Sequence, residues 1–191
     1  MIDPILLLAQ WLDDAGGAGS IEAIAMCLAT ADGRGEPSAR IVLLRGLDER
    51  GLRFFTSYLS RKGRELAQNP RAAAVLYWPQ LHRQARVEGE VAMLGEDESD
   101  AYFSSRPRGH RLAAWSSEQS EPLESYAVLE ERFAHFDARF EGEEVPRPHS
   151  WGGYLLAPSR IEFWQGRPNR MHERMLYTRS GNLWEMTRLQ P

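Results

Sequence analysis

The segment WQGRPNRMHERMLY, residues 164–177, places Arg170, His172 and Arg174 at every second position. If the segment is extended, alternate side chains project to the same face of the strand, so these three groups would lie side by side. Such a row could bind an anionic or polar aromatic ligand, stabilise charge and assist proton movement. The alternative is an exposed strand face whose polar side chains contact only water.

A second basic group lies in FFTSYLSRKGREL, where an expected strand is followed by an expected short helix. Thr56, Ser57, Arg61 and Lys62 fall near the junction, and Ser60 is the expected N-cap. Free N–H groups and the helix dipole favour a phosphate at such a helix start, and they disfavour Arg and Lys unless an anion intervenes. An ordinary solvated helix start is the alternative.

Two further segments carry basic residues. The Pro-Gly turn in YFSSRPRGHR offers Tyr102, Arg106, His110 and, as further candidates, Arg108 and Arg111, although a basic surface loop has the same composition. In ARIVLLR, Arg40 and Arg45 bracket an apolar strand. They are five positions apart, so they would lie on opposite strand faces unless a bulge intervenes.

Neutral polar and aromatic side chains could complete such a site. The amides of Gln84 and Gln119 and the hydroxyl of Ser120 suit the polar edge of a heterocycle, although solvated positions have the same residue types. Trp164 could stack on a ring or fill the core. The histidines show no ligand spacing with carboxylates or cysteine, so no metal site is expected.

The composition limits the class of protein. The chain has 191 residues, a net charge of −4 and one cysteine, Cys27, which lies in an apolar run and is expected to be buried. An internal disulfide is excluded, and a general nucleic-acid binder is disfavoured. The sequence has no apolar run of membrane-spanning length, and its start is acidic where a signal peptide is basic. A cytoplasmic enzyme or binding protein is therefore expected.

These residues must be positioned by many short strands. The chain is predicted to begin with a helix in ILLLAQWLDDAGG, with Asp3 as its N-cap and Pro4 as its first residue. Strand patterns then recur up to residue 94. Helical patterns run from Asp97 to about Glu141, and three strands follow. The segment RMHERMLYTR is predicted to be one of these final strands. The predicted fold is α+β, a small and mainly antiparallel barrel with flanking helices. No Rossmann unit is present.

Several separated blocks together resemble one family. They are IVLLRGLDERGLRFFTSYLSRKGRELAQNP, RQARVEGEV, AYFSSRPRGHRLAAWSSEQS, WGGY, IEFWQGRPNRMHERMLY and RLQP. In order and spacing they resemble the pyridoxamine 5'-phosphate oxidase family, from about residue 20 to the end. The resemblance implies an FMN-binding split β-barrel that works as a homodimer with interfacial active sites. The chain length and the strand and helix patterns predict one domain, residues 1–191, with a helical insertion at about residues 97–141.

The resemblance implies a role for each matching residue. The expected FMN-binding residues are Arg40, Val42, Arg45, Phe55, Thr56, Arg61, Lys62, Gln84, Gln119, Ser120, Trp164 and Arg174. The substrate phosphate would lie against Arg45, Tyr102, Arg106 and His110. Arg170 and His172 would flank the pyridine ring as the expected catalytic residues.

The implied reaction oxidises pyridoxamine 5'-phosphate or pyridoxine 5'-phosphate to pyridoxal 5'-phosphate, with O2 as acceptor and hydrogen peroxide as product. Three departures bear on the substrate: Arg45 and His110 stand where the family typically has Lys and Ser, and the chain begins without the arm that covers the substrate in typical members. Two alternatives stay open. One is a related flavin oxidase for a carboxylated aromatic, of the phenazine-precursor type. The other is a non-catalytic flavin or pyridoxal-phosphate binding protein.

Overall fold

The computed structural model describes residues 3–20 and 22–191. These residues form five α-helices and nine β-strands. The elements follow one another along the chain as α1 Pro4–Gly17, β1 Ala25–Ala31, β2 Pro37–Leu43, β3 Gly46–Asp48, β4 Gly51–Ser57, α2 Arg61–Gln68, β5 Arg71–Trp78, β6 Arg83–Met93, α3 Glu96–Ser105, α4 Arg108–Ser116, α5 Tyr126–Arg139, β7 Trp151–Gln165, β8 Glu173–Ser180 and β9 Leu183–Leu189.

All nine strands join one antiparallel sheet, in which β7 is the central member. The order is β2-β1-β5-β6-β7-β4-β3, with β8 paired to β7 and β9 paired to β8. The 15 residues of β7 pair with β6 on one side, and on the other side first with β4 and then with β8. The sheet therefore curls around a core, and the predicted α+β class is confirmed.

Helix α1 packs its apolar stripe on the curled sheet. Asp3 caps the helix by accepting the N–H of Ile5 at 2.8 Å, as the sequence predicts. Leu8 and Trp11 are buried, and the Trp11 ring lies 4.9 Å from that of Phe163 on β7 in an edge-to-face arrangement. This packing covers one face of the barrel core.

Helix α2 begins where the sequence predicts, with Ser60 as its N-cap. The Ser60 side chain accepts the N–H of Gly63, and the helix ends before Asn69. A Cβ at Gly63 would lie 2.1 Å from the carbonyl oxygen of Tyr58, so only glycine permits this close approach of the helix to the end of β4. The first turn of α2 is thereby held against the strand that precedes it.

The predicted helical region between β6 and β7 contains α3, α4 and α5. Helices α4 and α5 share a small second core of Leu112, Phe140 and Val145. The candidate site residues Arg108 and Arg111 contact residues of this helical region. Arg108 donates to the carbonyl of Phe140 at 3.0 Å, and Arg111 forms an ion pair with Glu144. Both guanidinium groups tie α4 to the region around the end of α5.

The prediction that Arg170, His172 and Arg174 share one strand face is wrong. Strand β8 begins only at Glu173, and a short 3₁₀ turn covers Pro168–Arg170. Proline fixes its own φ, and Asn169 and Arg170 take positive φ values of 57° and 61°, which no extended strand has. Arg170 and His172 therefore precede the strand, and only Arg174 belongs to it.

The expectation that Cys27 is buried is not met. Cys27 is partly exposed rather than buried, because β1 points Met26 and Leu28 into the core and Cys27 to the opposite face. Across residues 3–20 and 22–191, no helix is both long enough and apolar enough to span a bilayer. The same residues contain no cluster of side chains suited to hold a metal ion.

Candidate active site

A cavity of about 870 Å³ lies between β2, the end of β4, the start of α2 and the helices α3 and α4. Its polar and charged lining includes five guanidinium or ammonium groups, from Arg40, Arg45, Arg61, Lys62 and Arg106. Among the described residues that line it, none is acidic. A cavity of this size can hold a small molecule, and its charge favours an anion.

Lys62 forms the buried part of one cationic group, the α2 group, which we define as Arg40, Arg61 and Lys62. The Nζ of Lys62 donates to the Oγ1 of Thr56 at 2.9 Å and to the Oγ of Ser60 at 3.0 Å. The residue is only 5% exposed. Burial, reinforced by the charge of Arg40, lowers the pKa of Lys62 to about 8, although Glu65 acts in the opposite direction.

Glu65 holds the two arginines of the α2 group from behind the cavity. It is 5% exposed, and its carboxylate accepts from Arg61 Nε at 2.9 Å and from Arg40 Nη2 at 3.2 Å. The hydroxyls of Thr30 and Ser38 also donate to it. Burial alone would raise the pKa of Glu65, but these hydrogen bonds together lower it to about 2. The carboxylate is therefore ionised throughout the neutral range.

A second cationic group, the α3–α4 group, consists of Arg45, Tyr102, Arg106 and His110, which all line the same cavity. The ring of Tyr102 stacks on Phe55, with 3.8 Å between the ring centroids. Arg106 lies over the ring of Trp151, with Cζ 4.5 Å from its centroid. These aromatic rings hold the guanidinium and tyrosine side chains beside the cavity.

Arg106 has an unused donor. Its Nη1 is buried and has no hydrogen-bond partner among the described residues. Burial is the main cause that lowers the pKa of Arg106, and the charge of Arg45 acts in the same direction. Because Arg106 lines the cavity and its charge is partly desolvated, an anion bound in the cavity would stabilise that charge.

The strand break after β2 brings Arg40 and Arg45 to one cavity. The sequence places them on opposite faces of a continuous strand unless a bulge intervenes. In the structure β2 ends at Leu43, and the backbone N–H of Arg45 bonds to the carbonyl of Arg53 on β4 at 2.8 Å. The chain changes direction between the two arginines, so the alternation of a single strand no longer separates their side chains.

The remaining predicted site residues form another group, the β7–β8 group, which consists of Gln84, Trp164, Arg170, His172 and Arg174. Gln84 and Arg174 are the strand partners of Trp164 on either side. The ring centroids of Trp164 and His172 are 4.7 Å apart, and the Nδ1 of His172 accepts the N–H of Arg167 at 3.2 Å. None of the five lines the cavity in this single chain.

Arg174 is anchored by a buried carboxylate, much as Arg61 is. Its Nε donates to Glu162 at 2.7 Å, and Glu162 also accepts from Arg86 at 2.8 Å. Glu162 is only 4% exposed, and its hydrogen bond with Arg174 raises the pKa of that arginine. The buried carboxylate of Glu162 thus fixes the position of the Arg174 guanidinium.

The predicted site residues therefore divide into two sets. The cavity collects Arg40, Val42, Arg45, Phe55, Thr56, Arg61, Lys62, Tyr102, Arg106, His110, Gln119 and Ser120. The β7–β8 group lies elsewhere on the chain. Sequence reasoning missed Glu65, Ser38 and Trp151. The spacing of Glu65 four residues after Arg61 on a predicted helix was the available signal for the first of these.

Comparison with known proteins identifies two matched regions. Residues 19–140 match the family model described as pyridoxamine 5'-phosphate oxidase. Residues 151–191 match the model described as the pyridoxine 5'-phosphate oxidase C-terminal dimerisation region. Together the two models extend over most of the chain, including both sets of candidate site residues.

Full-length relatives agree with these matches. A pyridoxine/pyridoxamine 5'-phosphate oxidase of Rubrobacter xylanophilus is 56% identical over 189 residues, which are 99% of this chain and 87% of the relative. One of Paraburkholderia phymatum is 57% identical over 183 residues, which are 95% of this chain and 86% of the relative.

Solved structures show the same fold. PhzG from Burkholderia lata, in complex with tetrahydrophenazine-1-carboxylic acid, superposes with a TM-score of 0.94 at 37% identity, covering 99% of this chain and 93% of that one. A pyridoxamine 5'-phosphate oxidase-related, FMN-binding protein from Nostoc punctiforme superposes at 0.78 with 21% identity, and each chain is covered completely. The predicted split β-barrel is thereby confirmed. With both family models and full-length relatives in agreement, this chain belongs to the pyridoxamine 5'-phosphate oxidase family.

Proposed function

We propose that this protein is an FMN-dependent oxidase that converts pyridoxamine 5'-phosphate and pyridoxine 5'-phosphate to pyridoxal 5'-phosphate. The observation that carries the proposal is the cavity, which has two cationic groups and no acidic lining among the described residues. Two such groups suit two phosphorylated molecules side by side. The names of relatives that are 55–57% identical over nearly the whole chain support the substrate class.

The α2 group would hold the phosphate of FMN. Lys62 supplies a buried ammonium, Arg61 supplies a guanidinium at the first position of α2, and the helix start adds free N–H groups. Donors and acceptors for the rest of the cofactor come from cavity-lining residues that the sequence also predicts, namely Val42, Phe55, Thr56, Gln119 and Ser120. This donor set fits a phosphorylated flavin.

The α3–α4 group would hold the substrate phosphate. Arg45 and Arg106 would supply positive charge, while Tyr102 and His110 would add further hydrogen-bonding groups. Arg45, which lines the same cavity after the end of β2, would contact both ligands. A phosphate held there would position the substrate ring against the cofactor, which lowers the entropic cost of reaction.

The β7–β8 group would be supplied by the second subunit of a homodimer. Its residues lie at or near the region that matches the family's C-terminal dimerisation model, apart from Gln84 on the neighbouring strand. Because the group lies outside the cavity in one chain, a symmetric dimer is the arrangement that could complete two sites. Arg170 and His172 would then flank the substrate ring, with Gln84, Trp164 and Arg174 against the flavin.

The chemistry that FMN would supply when bound is to accept a hydride from the substrate C4' and to transfer the electrons to O2, which becomes hydrogen peroxide. The alcohol gives the aldehyde directly, and the amine gives the aldehyde and ammonia after water is added. The chain's own residues bind and orient both ligands. His172 keeps Nδ1 as an acceptor of the Arg167 N–H, which leaves Nε2 to face a polar atom of the substrate. A cytoplasmic location stays a prediction.

The deciding experiment mixes the purified protein with FMN and pyridoxamine 5'-phosphate in air and follows aldehyde and peroxide together. We expect the two products in equal amounts. Tetrahydrophenazine-1-carboxylic acid, the compound bound in the similar PhzG structure, is assayed in parallel. Oxidation of that compound alone would favour the related flavin oxidase, and FMN binding without turnover of either compound would favour the non-catalytic binding protein.

A further inference from the structure

Glu65 is the one acidic side chain that touches the α2 group from within the described residues, and the proposed reaction does not use it. Its two carboxylate oxygens accept hydrogen bonds from Arg61, Arg40, Thr30 and Ser38. At 5% exposure it lies behind the cavity and does not line it. A buried carboxylate with this many donors is fixed in place.

The hydrogen bond with Arg61 leaves that residue's binding end available. Glu65 takes the Nε–H, at 2.9 Å, from a guanidinium whose side chain is 62% exposed. Both Nη groups of Arg61, which lines the cavity, stay available for a phosphate. An exposed arginine otherwise samples many rotamers, so an anchor at Nε lowers the entropy lost when the phosphate binds.

Arg40 is fixed more completely than Arg61. Its Nη1 donates to the carbonyl of Leu28 and to Thr30, and its Nη2 donates to Ser38 and to Glu65. Four of its five N–H groups are thus directed to the protein. Arg40 therefore supplies a fixed positive charge and a single remaining donor, the Nε–H.

Glu65 also acts on the charge of Lys62. Burial and the charge of Arg40 lower the pKa of Lys62, whereas Glu65 raises it. Without the carboxylate, three neighbouring cations would repel one another and more of Lys62 would be neutral. Loss of Glu65 would therefore weaken phosphate binding through geometry and through charge together.

We propose that Glu65 is a positioning residue for the cofactor phosphate, which it serves by anchoring Arg61 and Arg40 and by balancing the charge of the α2 group. This inference rests on the proposed FMN site. It assigns the carboxylate no contact with the flavin. The effect is specific to phosphate, because each residue that Glu65 anchors or balances belongs to the phosphate-binding end.

The test compares FMN with riboflavin, which lacks the phosphate. Dissociation constants of both are measured by flavin fluorescence on the apoprotein, for wild type and for Glu65→Gln. We expect FMN affinity to fall by about tenfold and riboflavin affinity to stay unchanged. An unchanged FMN-to-riboflavin ratio, or a gain in FMN affinity from removing negative charge, would overturn the proposal. A wild type without preference for FMN would instead reject the cofactor site itself.

Two further measurements distinguish this positioning role from a merely structural one: the pH dependence of FMN affinity and the energetic coupling between Glu65 and Arg61. In Glu65→Gln the pH at which FMN affinity declines should move below that of wild type, because Lys62 loses the carboxylate that favours its charge. The ionisable groups around it are Arg40 on β2, Arg61 and Glu65 on α2 and, elsewhere on the cavity lining, Arg45, Tyr102, Arg106 and His110. Adding Arg61→Ala should cost less in the Glu65→Gln background than in wild type. Fully additive losses with an unmoved pH profile would contradict the proposal.

Asp48→Asn is the control, since Asp48, like Glu65, pairs with two arginines, Arg50 and Arg53, but it is only partly buried and does not line the cavity. Its FMN-to-riboflavin ratio should equal that of wild type. If Glu65→Gln does not fold, Glu65→Asp carries the test, because it keeps the charge and withdraws the carboxylate from Arg61. An FMN-to-riboflavin ratio equal to that of wild type in Glu65→Asp would then reject the anchoring role.

Discussion

The Nζ of Lys62 donates a hydrogen bond of 2.9 Å to the Oγ1 of Thr56, and the hydroxyl of Thr56 donates one of 2.8 Å to the Oε1 of Gln119. This chain joins α2, β4 and the segment after α4 at one point of the cavity. Gln119 also accepts the N–H of Ser57, so its carbonyl oxygen is occupied and its amide nitrogen is left for a ligand. Three residues proposed to bind the cofactor are thus oriented by one another.

FMN affinity should depend on the titration of Lys62. Because the pKa of Lys62 is about 8, the ammonium is present below that pH and is lost above it in the free protein. A phosphate dianion favours the charged form, so affinity should be flat between about pH 7, where the phosphate is a dianion, and pH 8, and should fall by up to about tenfold per pH unit above pH 8. Flavin fluorescence titrations across this range measure the effect. Lys62→Arg should flatten the decline, and a decline of the same size for riboflavin would refute the assignment.

Arg61 and Arg64 form a matched pair on α2. Arg61 lines the cavity, whereas Arg64 donates to the carbonyl of Leu59 and pairs with Glu121. Arg61→Ala should lower FMN affinity by about tenfold or more, since a charge-assisted bond contributes about 1.5–3 kcal/mol. Arg64→Ala should change it little. Equal losses in the two variants would show that the helix charge matters and the specific contact does not.

Arg106 should decide the preference for a phosphorylated substrate. It lines the cavity beside Arg45, Tyr102 and His110, where we propose that the substrate phosphate binds. Arg106→Ala should lower kcat/KM for pyridoxamine 5'-phosphate by at least about tenfold and leave that for pyridoxamine nearly unchanged. Steady-state peroxide release with both compounds measures this. Arg170→Ala should impair both alike, because the ring is common to them.

Hybrid dimers can test whether two subunits build each site. Arg61→Ala changes the cavity, and Arg174→Ala changes the β7–β8 group. If each site combines a cavity with the partner's β7–β8 group, a hybrid of the two variants holds one intact site and one site with both defects. Mixing the unfolded variants in equal amounts and refolding them should restore about a quarter of the wild-type sites. Activity no greater than the mean of the two parent variants would place both residues in the same subunit's site.

Acid should selectively remove the stability that Glu65 contributes. Its folded-state pKa of about 2 lies below its ordinary value of 4.5, so its contribution is complete above pH 4.5 and is lost as pH falls towards 2. The pKa difference corresponds to roughly 3 kcal/mol at most. Urea unfolding of wild type and Glu65→Gln at several pH values measures the difference in free energy of unfolding. That difference should shrink below pH 4.5, and a constant difference would contradict the pKa assignment.

Local sequence signals determined much of the architecture. Asp3 and Pro4 begin α1, and Ser60 begins α2 where the pattern predicts, because capping involves only residues within one helical turn. The strand that the sequence predicts before α2 is likewise present, as β4. The cationic residues of the α2 and α3–α4 groups could be chosen from their types and neighbours.

Only the tertiary structure decided how those residues combine. Arg40 and Arg45 share a cavity because the chain turns after Leu43, and Arg170 leaves the strand face because its backbone takes a positive φ. Glu65 reaches Arg40 across 25 sequence positions. Such contacts depend on how distant elements pack, and the periodicity of a single strand or helix carries no information about distances between elements. The sequence therefore determined which groups could bind phosphate, and the packing determined which of them act together.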